Sequence, residues 1–337
     1  MRSRLSNKKR GAYGYSGQIP RVPVTLDGPS RPGMTVRTTW LGHATCIVEI
    51  GGCKVLTDPV FSSRCSPSKY VGPKRYTQPG ATVGELIEEM GVTFDLCVIS
   101  HDHFDHLDKS SVRSLSKSNG VKKWCVPLGT KSLLVSYGCD PSSVVEMSWW
   151  EEHVDSGSGL LVVCCPAQHW CCRRPWDRNK RLWATWAVLS TEPRGSTSAG
   201  GGSRDSFFFA GDTGYPDSFP LFKQIGEKYG PFTMSAIPIG AYAPRWFMKG
   251  QHCDPKGSLD IHSDVRSSLS IGIHWGTFPL AEELFFEPVS ELVEEAERRG
   301  IGNFVATRIG ESVGTGETIE MRSVFEGLMK AAVEGCF

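Results

Sequence analysis

The sequence FDLCVISHDHFDH, residues 94–106, decides the fold of this chain. Its first half is an apolar run that predicts a buried strand. Four side chains that can bind a metal follow within six residues: His101, His103, Asp105 and His106. In a tight loop after a strand, alternate residues point the same way, so His101 and His103 can share one metal. Asp105 and His106 are offset by the turn and can serve a second metal nearby.

Three further candidate ligands also follow apolar runs. They are His169 after Leu161–Cys165, Asp212 after the run 207–211 and His274 after Ser270–Ile273. Open α/β sheets build their sites at the carboxyl ends of strands, so we expect all seven side chains to converge. A single histidine at a strand end is usually an ordinary residue. The same arrangement at four strands favours a metal centre.

The seven side chains suffice for two metal ions. Imidazole and carboxylate ligands suit zinc, with iron and manganese as alternatives. We predict one ion on His101, His103 and His169 and a second ion on Asp105, His106 and His274, with the Asp212 carboxylate bridging them. Each ion keeps an open position, as catalytic metals do. Such a pair shares a hydroxide and stabilises both oxygens of a displacement at phosphorus, which predicts phosphodiester hydrolysis.

Composition excludes several other classes of protein. The formal net charge is +1, and no basic stripe interleaved with aromatic residues occurs, which disfavours nucleic acid as a partner. Cysteines such as Cys97 and Cys125 lie in apolar runs, so we expect reduced thiols and an intracellular compartment. The adjacent pairs 164–165 and 171–172 lack CxxC spacing and are interpreted as packing residues. No apolar run is long enough for a transmembrane helix, and no signal peptide is expected.

Short apolar runs separated by turn residues predict an α/β fold of two sheets packed face to face, with helices outside. The predicted strands are Val36–Leu41, Cys46–Ile50, Lys54–Leu56, Leu96–Ser100, Trp124–Val126, Leu160–Cys164, Trp183–Leu189, Phe207–Ala210, Met234–Pro238, Ser270–His274 and Phe304–Ala306. The predicted helices are Glu85–Met90, Lys109–Ser116 after the N-cap Asp108, Pro288–Arg299 ended by Gly300, and Met321–Val333.

Two segments have the composition of flexible chain. Residues 1–34 are rich in Gly, Pro, Ser and basic side chains, which predicts a solvated tail or, alternatively, an arm that contacts anionic lipid. Residues 191–205 are rich in Gly and Ser and are interpreted as a flexible insertion between two strands. The remainder, residues 35–337, is predicted to be one hydrolase domain.

Several long stretches carry a resemblance to a known family. They are TWLGHAT (39–45), LTDPVFSSR (56–64), SPSKYVGPKR (66–75), ISHDHFDHLD (99–108), QHW (168–170), FFFAGDTGY (207–215), AIPIGAYAPRWFM (236–248) and IHWGTF (273–278). The chain resembles the metallo-β-lactamase superfamily and, within it, the N-acylphosphatidylethanolamine-hydrolysing phospholipase D family.

The resemblance implies a four-layer αββα sandwich with two zinc ions per chain. It also implies hydrolysis of N-acylphosphatidylethanolamine to N-acylethanolamine and phosphatidic acid, peripheral association with the cytosolic face of a membrane, and a homodimer. All seven candidate ligands match the family's ligand positions, with Asp105 and Asp212 as catalytic residues. His43 and Asp58 match residues that orient ligands. The alternative for both is a buried polar residue satisfied by backbone groups.

The resemblance further implies a lipid-binding groove. Its candidate contacts are Tyr70 in the segment 66–75, and Tyr242, Arg245, Trp246 and His252 in the segment 241–254. The aromatic loop 241–254 can instead be core, and the basic run 173–181 can be a solvated surface. Lys69, Lys109 and Cys172 depart from the family pattern, and residues 1–34 do not resemble its longer N-terminal region. The alternative functions are a lactonase, a cyclic phosphodiesterase or a non-catalytic lipid-binding protein.

Overall fold

The computed structural model describes residues 19–26, 34–193, 204–316 and 327. Within these residues, fourteen strands form two seven-stranded sheets. The strands are β1 Val36–Gly42, β2 Thr45–Ile50, β3 Cys53–Thr57, β4 Phe94–Val98, β5 Val121–Pro127, β6 Val144–Met147, β7 Glu152–Asp155, β8 Leu160–Cys165, β9 Thr185–Pro193, β10 Arg204–Phe209, β11 Met234–Pro238, β12 Ser270–Ile273, β13 Phe304–Val305 and β14 Ser312–Gly314. The first sheet has the order β14-β1-β2-β3-β4-β5-β6, and the second has the order β13-β12-β11-β10-β9-β8-β7.

Each sheet is antiparallel in one part and parallel in the other. Strands β3 to β6 run parallel in the first sheet, as do β10 to β13 in the second. The helices lie in the connections. They are the π-helical turn α1 Glu85–Glu89 and the helices α2 Lys109–Lys117, α3 Lys131–Tyr137, α4 Leu221–Tyr229, α5 Arg245–Met248, α6 Pro255–Asp264 and α7 Glu287–Arg299.

The core consists of layers set by the alternation of side chains along the strands. Trp40 and Val48 of the first sheet and Trp186 of the second are fully buried in the cluster between the sheets. Leu56, on the outer face of the first sheet, belongs to a second cluster with Val112 and other residues of α2 and α3. Helices α4, α6 and α7 pack over the second sheet. The predicted αββα sandwich is confirmed.

The predicted elements are confirmed with boundaries shifted by a few residues. The strand before the histidine-rich loop ends at Val98, two residues earlier than predicted. Asp108 caps α2 through hydrogen bonds from the Ser110 and Ser111 amides, and Gly300 ends α7 at a φ of +68°. Strands β6, β7 and β14 and helices α3 to α6 were not predicted. The predicted helix Met321–Val333 lies, except for Gly327, outside the described residues.

Part of the segment predicted as a tail packs against the domain. Ile19 is buried, and its amide donates to Thr77 Oγ1 at 3.0 Å. The Val22 amide donates to the Ile309 carbonyl at 2.8 Å. Residues 19–26 therefore belong to the folded unit, which corrects the boundary predicted at residue 34. For residues 1–18 and 27–33, the tail stays a prediction.

Three other expectations concern the insertion, the thiols and the membrane. Strands β9 and β10 are antiparallel, with Arg204 opposite Pro193, so the segment 191–205 connects neighbouring strands, and its flexibility stays a prediction. The eleven cysteines among the described residues are free thiols. In the described ranges, no helix combines the length and the apolar character that a membrane span requires.

Candidate metal centre

Five strands end at one cluster of polar side chains. Asp58 follows β3, the loop 101–106 follows β4, His169 follows β8, Asp212 follows β10 and His274 follows β12. All seven side chains predicted as ligands lie in overlapping groups whose nitrogen and oxygen atoms are within 4.8 Å of one another. The carboxyl ends of the strands converge, as expected for an α/β sheet.

His101, His103 and His169 form the first histidine group. The nitrogen His103 Nδ1 lies 2.8 Å from His101 Nε2 and 3.3 Å from His169 Nε2. All three rings are at least largely buried. The three nitrogens therefore face one point, as the ligands of a single ion do.

Asp105, His106 and His274 form the second histidine group. Asp105 Oδ2 lies 3.4 Å from His106 Nε2 and 3.5 Å from His274 Nε2, and the two ring nitrogens are 3.1 Å apart. The offset between residues 103 and 105 that was predicted from the turn brings Asp105 to this group and away from the first.

Asp212 contacts both groups. Its Oδ2 atom lies 3.7 Å from His169 Nε2 and 3.1 Å from His106 Nε2. Its Oδ1 atom lies 3.0 Å from His274 Nε2. A carboxylate in this position can bridge two ions.

The side chains that face the two groups are themselves oriented by hydrogen bonds. His169 Nδ1 donates to the Gln251 carbonyl at 2.8 Å, which leaves the lone pair on Nε2 for the site. Asp58 Oδ2 lies 2.6 Å from His106 Nδ1 and holds that ring in the same way. Asp58 also accepts from the Ser100 amide at 2.7 Å, which fixes the start of the loop.

His43 supports the second group through Asp105. His43 Nε2 lies 2.9 Å from Asp105 Oδ2, and the His43 amide donates to Thr277 Oγ1 at 2.8 Å. The His274 amide donates to the His43 carbonyl, so these two residues also share a backbone contact. The family resemblance implies that His43 and Asp58 orient ligands, and both lie where they can orient a candidate ligand.

The electrostatics of the cluster fit a divalent metal. Burial holds the pKa of His101 and His169 well below the ordinary value, so these rings are neutral and carry free lone pairs. Although burial opposes it, the His106 and His274 rings hold the pKa of Asp212 well below its usual range, so this carboxylate is ionised. Burial also opposes ionisation of His274, but Asp212 raises the pKa of His274 to about 9. The neutral rings of His101 and His169 and the ionised Asp212 are donors that zinc-type ions use, and a cation bound between His274 and Asp212 would take the place of the proton on His274.

The backbone at the cluster is strained. His43 and His274 have φ values of +54° and +62°, in the left-handed region that non-glycine residues rarely adopt. Gly211 has a φ of +53°, and a Cβ atom there would lie 2.5 Å from the Cβ of Ser100. Glycine at position 211 thus lets Asp212 approach the loop that carries the first four candidate ligands.

Asp102 lies inside the histidine-rich motif but faces away from the two groups. It is fully buried, with its Oδ2 atom 2.7 Å from Arg181 Nη1. Its Oδ1 atom accepts from the Cys172 amide at 2.9 Å. Asp102 therefore anchors the loop 171–181, a role that the sequence analysis missed, and Arg181 is an ion-pair partner instead of a free surface charge.

The predicted groove residues have different surroundings. His252 is buried beside the cluster and forms a metal-capable group with His169 and Asp212, which the sequence analysis did not foresee. Arg245 pairs with Asp254 at 3.0 Å and donates to the His252 carbonyl at 2.6 Å, so it fixes the position of His252.

Tyr70 and Trp246 are 75% and 85% exposed, as a groove or surface contact requires. Tyr242 is buried, and burial, together with Glu291, Glu287 and Glu283, raises its pKa. Tyr242 is therefore shielded from solvent, unlike Tyr70 and Trp246, and its contact with substrate stays a prediction.

Comparisons with known proteins agree with this architecture. A protein-family model described as the beta-lactamase superfamily domain matches residues 54–275. The chain is 42% identical over 282 residues to N-acyl-phosphatidylethanolamine-hydrolyzing phospholipase D 1 of Caenorhabditis elegans, covering 81% of this chain and 74% of that protein. It is 35% identical to the mitochondrial N-acyl-phosphatidylethanolamine-hydrolyzing phospholipase D of Saccharomyces cerevisiae, covering 83% of this chain and 56% of the yeast protein.

Solved structures show the same fold. A metallo hydrolase from the archaeon Ignicoccus hospitalis superposes with a TM-score of 0.58 at 19% identity, covering 84% of this chain and 99% of that one. At this identity the likeness concerns the fold alone. The family model and the sequence relatives show that the chain belongs to the metallo-β-lactamase superfamily of metal-dependent hydrolases and, within it, to the N-acylphosphatidylethanolamine-hydrolysing phospholipase D family.

Proposed function

We propose that this chain is a zinc-dependent phospholipase D that hydrolyses N-acylphosphatidylethanolamine to N-acylethanolamine and phosphatidic acid. The observation that carries the proposal is the 42% identity to a relative with that printed activity, over the region that brings the two histidine groups together around Asp212. A cluster of this composition suits the attack of water on a phosphodiester.

The residues divide into two metal positions. The first histidine group would hold one zinc ion and the second would hold the other, with Asp212 shared between them. When bound, a zinc pair supplies Lewis acidity and makes hydroxide available at neutral pH by lowering the pKa of water towards ~7. Asp105 and Asp212 contribute the negative charge that retains the ions, and Asp58 and His43 hold His106 and Asp105 in place.

His252 is the best-placed residue to contact the substrate phosphate. Its ring is buried, its Nδ1 atom lies 3.9 Å from Asp212 Oδ2, and within the described residues that nitrogen has no hydrogen-bond partner. A buried polar atom beside the cluster is costly unless a ligand satisfies it. Arg245 fixes the backbone of His252, and a direct contact of Arg245 with phosphate stays a prediction.

We further propose that the enzyme docks peripherally on the cytosolic face of a membrane. Three loops that leave strands ending near the cluster expose large apolar side chains. They are Tyr70 and Val71 after β3, Trp176 after β8, and Trp246 and Phe247 after β11. Apolar side chains exposed near a lipid-cleaving centre suit insertion into the lipid surface. The homodimer stays a prediction.

Replacing Trp246 with Ser should weaken binding to phosphatidylcholine vesicles about tenfold or more, because burying an indole in lipid is worth about 2 kcal/mol. The measurement is vesicle flotation. Val154→Ser is the matched control, since Val154 is 58% exposed on the edge strand β7 and should leave binding unchanged. Equal binding of the two variants would contradict a docking role for α5.

The test of the activity is product identification. Purified protein is incubated with liposomes of N-acylphosphatidylethanolamine, with and without chelator, and products are identified by mass spectrometry. A lactone and a cyclic nucleotide are assayed in parallel. We expect N-acylethanolamine and phosphatidic acid in equal amounts, and only without chelator. Turnover of the water-soluble substrates alone, or chelator-resistant turnover, would overturn the proposal.

A further inference from the structure

A cavity of about 620 Å³ lies beside the loop 101–106, which carries four of the candidate ligands. One of its lining residues is Phe104, which lies between His103 and Asp105 in the sequence. The other walls come from the loop after β3, the first turn of α2, helix α3 and the start of the loop 171–181. The volume is in the range of ~300–1,000 Å³ that small-molecule sites occupy.

The lining of this cavity is strongly basic. Five basic residues line it: Arg64, Lys69, Lys109, Arg173 and Arg174. Asp108 is the one acidic residue among the described lining residues. Asp108 is already engaged, since it accepts from Ser62 Oγ at 2.6 Å and from the amides of Ser110 and Ser111. We call this space the basic cavity.

Among the described residues, none of the five cations of the basic cavity forms an ion pair with a carboxylate. The Lys69 amine lies 5.0 Å from the ring centre of Tyr70, and the Lys109 amine lies 5.6 Å from that of Tyr137. In the part of the chain that the structure describes, neither amine forms an ion pair, and Arg174 forms none either. Ring contacts leave the positive charge in place, so the basic cavity has a field that attracts anions.

Arg173 connects the basic cavity to the loop 101–106. Its guanidinium lies 4.0 Å from the ring centre of Phe104 and donates to the Asp102 carbonyl at 2.7 Å. Both acceptors belong to the loop 101–106. An anion held in the basic cavity therefore lies against this loop while contacting cations that the two histidine groups do not use.

We propose that the basic cavity binds a phosphate monoester at a position separate from the metal centre. A monoester carries about −1.5 to −2 charges at pH 7 and three acceptor oxygens, which suits a site with several cations better than a singly charged diester does. Glycerol 3-phosphate carries this group free in solution, and phosphatidic acid carries it at a lipid surface. The product of the proposed reaction has this headgroup, but the binding itself does not depend on that reaction.

The test compares two double variants with equal loss of charge. Lys69→Gln/Lys109→Gln removes two cations of the basic cavity. Arg113→Gln/Lys117→Gln removes two exposed cations of the same helix α2 that do not line it. Metal-loaded wild-type protein and both variants are titrated with glycerol 3-phosphate in a calorimeter, and thermal melting checks that each variant folds.

We expect the cavity variant to bind glycerol 3-phosphate at least tenfold more weakly than wild type, and the control variant to stay within twofold. In a second arm, binding to phosphatidylcholine vesicles is measured by flotation, with and without phosphatidic acid. The cavity variant should again bind phosphatidic acid vesicles more weakly than wild type, and the control variant should bind them as wild type does. A loss confined to the vesicle arm assigns the site to the lipid headgroup, and a loss confined to the soluble arm assigns it to free phosphate esters. Equal binding by both variants in both arms would show that the phosphate does not bind in the basic cavity and would overturn the proposal.

Discussion

The two histidine groups differ in what holds them. The first group consists of three imidazoles, and uncharged partners orient it: Ser100 Oγ lies 2.9 Å from His101 Nδ1, and the Gln251 carbonyl accepts from His169. The second group contains the Asp105 carboxylate, and Asp58 lies against His106. The second position therefore has more negative charge in and around it. We expect it to retain a divalent ion more firmly than the first position.

Asp212→Asn tests what the groups share and should have the largest effect. Among the described residues, Asp212 is the one carboxylate that contacts both groups, so both ions should be held poorly after the substitution. We expect phospholipid hydrolysis to fall on the order of 1,000-fold or more, with metal content well below that of wild type by elemental analysis. Full activity in protein shown to have lost its metal would contradict the account.

Asp58→Asn tests the difference between the groups. It weakens the direct partner of His106 and reaches the first group only through Ser100, whose hydroxyl donates to Asp58 and lies 2.9 Å from His101 Nδ1. About one equivalent of metal should therefore be lost, and activity should fall about 10- to 100-fold. Asp95→Asn is the matched control, because Asp95 accepts from the Lys54 amide and the Lys122 amine away from the cluster. Loss of both equivalents, or of none, would show that Asp58 does not support the second position selectively.

Graded chelation should separate the two positions without mutation. Because the first group has no carboxylate of its own, it should release its ion at lower chelator concentration than the second group. Metal content plotted against chelator should therefore fall in two steps. His169→Asn should abolish the step at low chelator concentration, and Asp58→Asn should shift the second step to lower chelator concentration. A single step in wild type would mean that the two groups hold their ions equally firmly.

Asp102→Asn should have the smallest effect on metal binding, although Asp102 lies between two candidate ligands. Its carboxylate pairs with Arg181 and faces neither group. We expect unchanged metal content and a loss of about 1–3 kcal/mol in the free energy of unfolding, since the buried ion pair is weakened. Denaturant unfolding and elemental analysis measure both quantities. Metal loss in this variant would show that the loop 171–181 is part of the metal site.

The sequence predicted the cluster well because its signals are local. Each candidate ligand follows an apolar strand, and parallel strands bring their carboxyl ends together. The support of the cluster was harder to foresee. Asp102 has the same residue type as Asp105 and lies in the same motif, and its partner Arg181 is 79 residues away. The course of the loop 171–181 turns the Asp102 carboxylate away from the two histidine groups.

The elements that were not predicted have weak patterns. Strand β14 has three residues, and β7 is an edge strand whose sequence EHVD is mostly polar and exposed at two positions. Helix α4 contains Gly226 in its interior, which lowers helix propensity, and the glycine is needed because α6 approaches closely there. Helix α6 had a readable start in Asp254 and Pro255, which the sequence analysis overlooked.

Residues 19–26 and Tyr242 show a second limit of prediction from sequence. Composition predicted a solvated tail, yet two backbone hydrogen bonds to Ile309 attach this segment to the domain. Tyr242 belongs to an aromatic-rich loop that suggested a lipid contact, but the loop turns this side chain inward beside Glu283 and Glu291. In both cases, partners distant in the sequence decide burial, and local composition does not reveal them.

Anomalous X-ray scattering at the zinc edge, from crystals of the protein as purified, tests the central claim most directly. The account predicts two peaks about 3.5–4 Å apart, one beside each histidine group, with the Asp212 carboxylate between them. No peak at these seven side chains, or a single ion bound elsewhere in the chain, would contradict it.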